Sequence, residues 1–505
     1  MLFNSSAFLI FFPVVFLIYY IIPRKVRYIW LLAASYYFYM NWNPCYFFLL
    51  LGCTLITYFS ARLIEYDRPE HEEGGGTHNK KIVLVSCVLV LLLILGYFKY
   101  VDFFLAYVNK ILYLFHLKGI NRSYNVLLPI GISFYILQAL GYVFDVYKGR
   151  IYAEKNFLRY ALFVSFFPQL VAGPIERSKN LLTQLAEPAR LSWHDFWKGI
   201  LLILYGLFCK IVIADRIAII VNTVYGDSVA YPGVYIAYAA FLFSFQIYCD
   251  FYGYSTIARG TALMLGIRLT DNFNAPYYSK SIKEFWRRWH ISLSSWFRDY
   301  LYIPLGGNRK GKVRKEINLL FVFCVSGLWH GASLSFVFWG FLNGLYQVIS
   351  DIFYEVKIGI YRMITTRYQL IEEDETATFS SNLFHTIGTF ILITITWIFF
   401  AAEGMRAALY LIKQMISVFN WPVLFDGSLY NLGVSKEYTC ILFLSILVIM
   451  VVDLLKYKGN DVAELILNQD GWFIILCFVG LIVISMLFGC YGEMYDTQEF
   501  IYFEF

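Results

Sequence analysis

Long uncharged apolar runs separated by short polar turns repeat along the whole chain. They lie at 8–22, 82–98, 101–117, 126–147, 157–174, 198–220, 231–249, 318–350, 385–402, 437–455 and 472–490, with two more between the first run and a polar loop at 62–81. Most reach the roughly 17–25 residues that let a helix cross the hydrocarbon core of a bilayer. The pattern predicts an all-α, polytopic integral membrane protein with about eleven to thirteen transmembrane or re-entrant helices around a central tunnel. The 318–350 run is too long for one perpendicular span, and two helices broken near Gly331 or Gly344 are expected there. Helix breakers occur at membrane depth in two other runs, at 129–131 and 168–174. Irregular backbone is tolerated at that depth only where protein buries it or a wet cavity faces it, so these pieces are expected around a central site.

Composition agrees. Of 505 residues, 59% are hydrophobic, 20% aromatic and only 15% charged, against roughly a quarter charged in soluble domains. The nine cysteines lie mostly inside apolar runs and form no C-x-x-C pair. They read as small buried hydrophobes, with neither a disulfide framework nor a metal cluster indicated. The net charge of +6 is spread over loops and speaks to topology, not to nucleic acid. The first run has no basic residue before it and Arg24, Lys25 and Arg27 after it. That is the reverse of a cleavable signal peptide, so a retained helix with its N-terminus outside is expected. Arg62, Arg68, Lys80 and Lys81 place the 62–81 loop on the cytoplasmic side as well.

His330 lies near the middle of the 318–350 run, in the string S-G-L-W-H-G-A-S at 326–333. An ionisable ring is unfavourable at that depth and by default marks function. Desolvation favours the uncharged imidazole, the state that a general base needs. Trp329 and Ser333 are within a turn of it, to line the site or simply to pack. Asp145 and Asp250 also fall within apolar runs and require partners that spacing does not name. The other histidines, 71, 78, 116, 194 and 385, lie in loops or near span ends, and no pair has the one-helix spacing of a zinc site, so no metal is predicted.

From 280 to 302 the character changes. Ser281 and Glu284 have capping-box spacing, and Ile282, Phe285, Trp286, Trp289, Leu293, Trp296, Phe297 and Tyr300 then recur at helical intervals. Lys283, Arg287, Arg288 and Arg298 supply charge elsewhere on the helix, with His290 at the apolar edge. Such a helix lies in the membrane interface. Two readings stay open: a juxtamembrane anchor attracted to anionic lipid, or the wall of a cytoplasmic entrance that attracts an anionic acyl donor.

Several long strings, in order, resemble one family. They are L-P-I-G-I-S-F-Y (128–135), Q-A-L-G-Y-V-F-D-V-Y (138–147), F-P-Q-L-V-A-G-P-I-E-R (167–177), Q-I-Y-C-D-F-Y-G-Y-S (246–255), the run from Phe285 through W-R-R-W-H to the G-G-N-R at 306–309, and W-H-G-A-S (329–333). Together they resemble the membrane-bound O-acyltransferases, in particular the bacterial alginate O-acetyltransferase branch. The resemblance covers roughly residues 1–350 by motif. It implies that His330 is the catalytic intramembrane histidine and His290 the second functional histidine, on the cytoplasmic side. It further implies an acyl group, usually acetyl, taken from a cytoplasmic thioester. The donor is an acyl-CoA (acetyl-CoA) or a phosphopantetheinyl acyl carrier protein, with no bound cofactor. The implied acceptor is a cell-envelope or exported polysaccharide, reached through a separate extracytoplasmic esterase-like O-acetyltransferase, and the implied location is the bacterial inner or plasma membrane, among its lipids. Teichoic-acid D-alanylation proteins belong to the same superfamily, but the P-L-G-G-N-R-K-G at 304–311 departs from their usual sequence after the first histidine.

The chain divides into an O-acyltransferase domain at 1–490 and an aromatic tail at 491–505, ending F-I-Y-F-E-F. Alternating aromatics there prefer burial, either by docking on the membrane interface or by entering the tunnel. The tail resembles the C-terminal motif of the small protein that accompanies teichoic-acid D-alanylation. In that reading Tyr502 accepts the acyl group and, with a phenol pKa near 10, needs a base such as His330. The competing readings are D-alanyl transfer to teichoic acid with a carrier protein, and a lipid-linked glycan transporter without catalysis. The absence of an evident inverted repeat weighs against the transporter.

Overall fold

The computed structural model describes residues 1–66, 77–120, 128–171, 173–187, 190–364, 378–491 and 500. Among the described residues every regular element is a helix, and there is no strand. The N-terminal part contains α1 (Ser6–Ile21), α2 (Arg27–Met40), α3 (Tyr46–Tyr66), α4 (Thr77–Leu95) and α5 (Val101–Leu114). A middle group of shorter pieces follows: α6 (Ile132–Tyr147), α7 (Phe157–Ser165), α8 (Phe167–Leu170) and α9 (Ser178–Ala186). Then come α10 (Trp193–Leu207), α11 (Asp215–Gly226) and the long α12 (Val234–Met264). The short pair α13 (Ile282–Arg288) and α14 (Ile291–Phe297) leads into the hairpin of α15 (Lys312–His330) and α16 (Leu334–Ile364). The chain continues with α17 (Phe379–Ala401), α18 (Met405–Ser417), α19 (Lys436–Tyr457), α20 (Val462–Leu467) and α21 (Gly471–Phe488).

Among the described residues, seven helical stretches are long and apolar enough to cross a membrane: Tyr46–Tyr66, Asn79–Leu114, Val234–Met264, Leu334–Tyr354, Phe379–Ala401, Lys436–Tyr457 and Gly471–Phe488. Shorter apolar helices, Ser6–Ile21 and Ile132–Tyr147, accompany them. The protein is a multi-pass membrane protein. Lipid gives helices no hydrophobic reason to associate, so close backbone approach through small residues does that work. Gly199 and Gly206 of α10 oppose Gly260 and Gly253 of α12, and a β-carbon at Gly206 would come within 2.6 Å of the Gly253 carbonyl oxygen. In the α15–α16 hairpin a β-carbon on Gly327 would lie 2.1 Å from the Phe336 carbonyl oxygen, and one on Gly340 at 2.1 Å from that of Phe323.

One feature differs from the hydropathy pattern and one follows it. The runs at 82–98 and 101–117 are one continuous helix, interrupted only by a π-helical segment at Gly96–Tyr100. The expected break in 318–350 falls at Gly331, where the backbone is extended (φ −166°, ψ 157°) between α15 and α16. The two intramembrane carboxylates also have their partners. Asp250 meets Lys210 at 2.6 Å, Lys210 meets Asp215 at 2.8 Å, and Asp145 meets Arg150 at 3.2 Å. These are structural pairings of the kind that a buried charge requires.

Candidate active site

His330 is the last residue of α15. A helix that ends at membrane depth leaves its final carbonyls without intrahelical donors, and here the π segment of the Asn79–Leu114 helix reaches across to supply them. The Tyr100 hydroxyl donates to the Leu328 carbonyl oxygen at 2.7 Å. Lys99 Nζ donates to the carbonyl oxygens of Trp329 (2.6 Å) and His330 (3.0 Å). The π turn matters because it reorients a helix locally without breaking it, and such turns concentrate at functional sites. Lys99 is the residue that sequence reading missed. Its signal was a single lysine between two apolar runs, which reads equally well as the end of a span.

The His330 ring is held edge-on by aromatics on three sides. Its centroid is 4.9 Å from Trp329, 5.1 Å from Trp339 and 5.5 Å from Phe400. Only 4% of the residue is exposed. A cavity of about 30 Å³ lies against it, lined by Lys99, residues 128–134, Val171 and Trp329. Both predicted breaker segments meet there. Gly131 adopts φ +74° at the start of α6, and a β-carbon on it would come within 2.5 Å of the Leu170 carbonyl oxygen at the end of α8. Only glycine fits that left-handed turn and that approach together. A smaller space of about 10 Å³, lined by Met1, Leu2, Phe38, Tyr39 and Trp42, shares Ile130 and Val171 with it.

His290 reaches the same region from another direction. The continuous amphipathic helix expected over 280–302 is instead broken in two at this residue. Ser281 does cap the first piece, its Oγ accepting from the Glu284 N–H at 3.1 Å. The helix stops at Arg288, Trp289 is extended, and His290 takes the left-handed conformation (φ 43°, ψ 55°) before α14 begins. Neighbouring backbone enforces this. The Asn274 N–H donates to the Arg288 carbonyl at 3.0 Å, and the Ile291 N–H donates to the Asn272 carbonyl at 2.9 Å. Asn272 Oδ1 accepts from the Ser292 hydroxyl at 2.6 Å and from its N–H at 3.3 Å. A non-glycine residue held in this conformation carries strain that the surroundings must over-determine, which is common at functional sites. The break folds the aromatic face inward, so Ile282, Phe285, Trp289, Leu293, Trp296, Phe297 and Tyr300 are buried core residues rather than an interfacial stripe.

Trp329 lies between the two histidines, 4.9 Å from the His330 ring and 6.4 Å from that of His290. Phe134, from the cavity wall, is 6.3 Å from His290 and 5.4 Å from Trp329. The structure thus brings His330 and His290 to one aromatic cluster. Ser333 belongs elsewhere: its Oγ accepts from the Ser335 N–H at 3.3 Å, next to the start of α16. Tyr502 lies outside the described residues. Phe500 is described, is only 2% exposed, and packs against Phe251 (5.7 Å) and Tyr254 (4.9 Å). Phe251 in turn contacts the His290 ring at 4.6 Å.

Comparison with known proteins fits this arrangement. The profile of the membrane-bound O-acyltransferase family matches residues 152–367, which include both histidines. The chain is 37% identical over 431 residues to a probable alginate O-acetylase of Pseudomonas syringae, covering 84% of this chain and 76% of that one. It is 33% identical to a peptidoglycan O-acetyltransferase of Helicobacter pylori, covering 83% and 80%. A teichoic acid D-alanyltransferase of Bacillus subtilis is 26% identical over 48% of this chain and 63% of its own length. Identity at this level across most of both sequences places the chain in the membrane-bound O-acyltransferase family, as a multi-pass membrane O-acyltransferase.

Proposed function

We propose that this enzyme O-acetylates a cell-envelope or exported polysaccharide, using a cytoplasmic acetyl thioester and His330 as general base. The observation that carries this reading is the placement of His330 at a helix end fixed by Lys99 and Tyr100, against a cavity and one indole away from His290. The relatives named for alginate and peptidoglycan O-acetylation supply the acyl group and the acceptor class.

In the reaction an acceptor hydroxyl oxygen attacks the thioester carbonyl. His330 takes the hydroxyl proton, the new C–O bond forms, the C–S bond breaks, and the proton returns to the departing thiolate. General-base help of this kind contributes roughly 10²–10⁴ in rate, and water-poor surroundings protect the thioester from hydrolysis. His290 supports the cytoplasmic half of the path, where acetyl-CoA or a phosphopantetheinyl carrier protein delivers the acyl group. Tyr502 is the first acceptor in this reading, and it passes the acetyl group to an esterase-like transferase outside the membrane. Its support is Phe500, two residues earlier, buried on the same Phe251 that touches His290.

The test is mild alkaline release of acyl groups from envelope polymers of wild-type, His330→Ala and Tyr502→Phe cells. Acetate missing from both variants, with polymer amount unchanged, is the expected result. Loss of D-alanine instead would move the assignment to teichoic-acid D-alanylation, and impaired polymer export would return a transporter. Full acetylation in the Tyr502→Phe strain would remove the tyrosine from the path and leave His330 in place.

A further inference from the structure

Behind the strap that holds His290, a larger cavity of about 380 Å³ opens between α10, α12, α19, α20 and α21. One part of its wall is apolar, with Leu201, Leu202, Val452, Ile466 and Leu481. The other part is charged. Arg259 is ion-paired to Asp271, and Lys198 is held by Asp461 at 2.7 Å and Glu464 at 2.6 Å. Lys456 differs from both. Among the described residues its ammonium donates to one acceptor, the neutral hydroxyl of Tyr252 at 2.8 Å, and sits over that ring at 4.7 Å, while Asp271 and Asp453 act on it electrostatically from beyond ion-pair distance. An ammonium offers three donors, so this one faces the cavity with hydrogen-bonding capacity left over.

The position of the cavity indicates what would complete it. α21 forms one side and lies at the edge of the bundle, with Ile475, Leu476, Val479, Ile482 and Val483 all exposed. Trp472 at its start is 68% exposed, as befits an interfacial anchor. A molecule entering here comes from the bilayer as readily as from water. It must present negative charge to Lys456 and an apolar chain to α10, α19 and α21. We propose that this cavity is a phospholipid site, with the lipid phosphate on Lys456 and Arg259 and an acyl chain against Leu201, Leu202, Val452 and Leu481. Ionised donors and phosphate oxygens form strong charge-assisted hydrogen bonds, and basic pockets between helices near the membrane surface suit lipid head groups.

The inner end of the cavity is lined by Phe273, Asn274 and Ile291. These residues flank the strap that fixes His290, through the Asn274–Arg288 and Ile291–Asn272 backbone bonds. A lipid seated here braces that strap from behind. The proposal rests on the cavity alone and stands whether or not His290 serves catalysis.

The experiment is native mass spectrometry of the full-length protein, delipidated in dodecyl maltoside and titrated with dioleoyl-phosphatidylglycerol. Wild type is expected to bind the lipid with at least about tenfold higher affinity than Lys456→Met, and Lys456→Arg is expected to restore it. Leu202→Trp, which fills the apolar part, is expected to weaken binding while leaving Lys456 in place. Equal affinity in wild type and Lys456→Met, both shown to be folded by thermal melting, would overturn the proposal. So would displacement of the lipid by coenzyme A or inorganic phosphate, which would make the cavity a soluble-anion site.

Discussion

The two histidines are the same residue type, almost equally buried, and held by opposite means. His330 ends a regular helix, and its position follows from where α15 stops and from two side chains of a neighbouring helix that satisfy the last carbonyls. His290 belongs to no helix, and its left-handed backbone is imposed by bonds to residues 272 and 274. The first arrangement places a ring by rigid termination, the second by strain held in check. The difference separates what each variant disturbs: the His330 region responds through side-chain donors, the His290 region through backbone pairing.

Replacing His290 by Asn gives the largest effect short of removing His330. Asn tolerates left-handed backbone, so the strap survives and melting temperature stays near wild type, while acetyl transfer falls by about 10². A folded His290→Asn enzyme with full activity would reduce His290 to a structural residue. Next in size is Lys99→Met, which removes the donor to the Trp329 and His330 carbonyls. We expect a loss of about tenfold or more in kcat with KM little changed, since a 1 Å misplacement of a catalytic group is enough for that. Unchanged kcat would show that Tyr100 alone fixes the helix end.

The backbone side of the comparison is sharpened by Asn272→Ala. It leaves the Ser292 hydroxyl and N–H without their acceptor, at about 1–3 kcal/mol in stability, read by thermal melting in detergent. If the two regions are as separate as their geometry indicates, this change lowers stability more than it lowers the activity that remains. Comparable in stability to Asn272→Ala, but smallest in its expected effect on activity, is Gly327→Ala. Its β-carbon meets the Phe336 carbonyl oxygen at 2.1 Å, so α15 and α16 must separate, at about 1–3 kcal/mol. A neutral Gly327→Ala would mean that the hairpin crossing does not set the position of His330.

What the sequence made legible divides along the same line. Spans, helix breakers and the stop near Gly331 were readable because they depend on apolar length and on glycine and proline, which act locally. Both breaker segments at 129–131 and 168–174 do converge on the His330 cavity. The break at His290 was not readable, because the aromatic period of 282–300 continues through it and the cause lies in residues 272 and 274. Lys99 was hidden for a related reason: a lysine between apolar runs marks a span end and a π turn equally well. The partner of Asp250 was out of reach because Lys210 lies forty residues away in sequence, on another helix. Tertiary pairing, not local pattern, decides all three.

The central claim is that His330 activates the acceptor toward a thioester. It is tested most directly by purified enzyme in proteoliposomes supplied with radiolabelled acetyl-CoA, comparing thioester cleavage by wild type and by His330→Ala. The account predicts at least about a hundredfold slower cleavage in the variant, with an unchanged melting temperature. Equal cleavage rates by two equally folded proteins would contradict it.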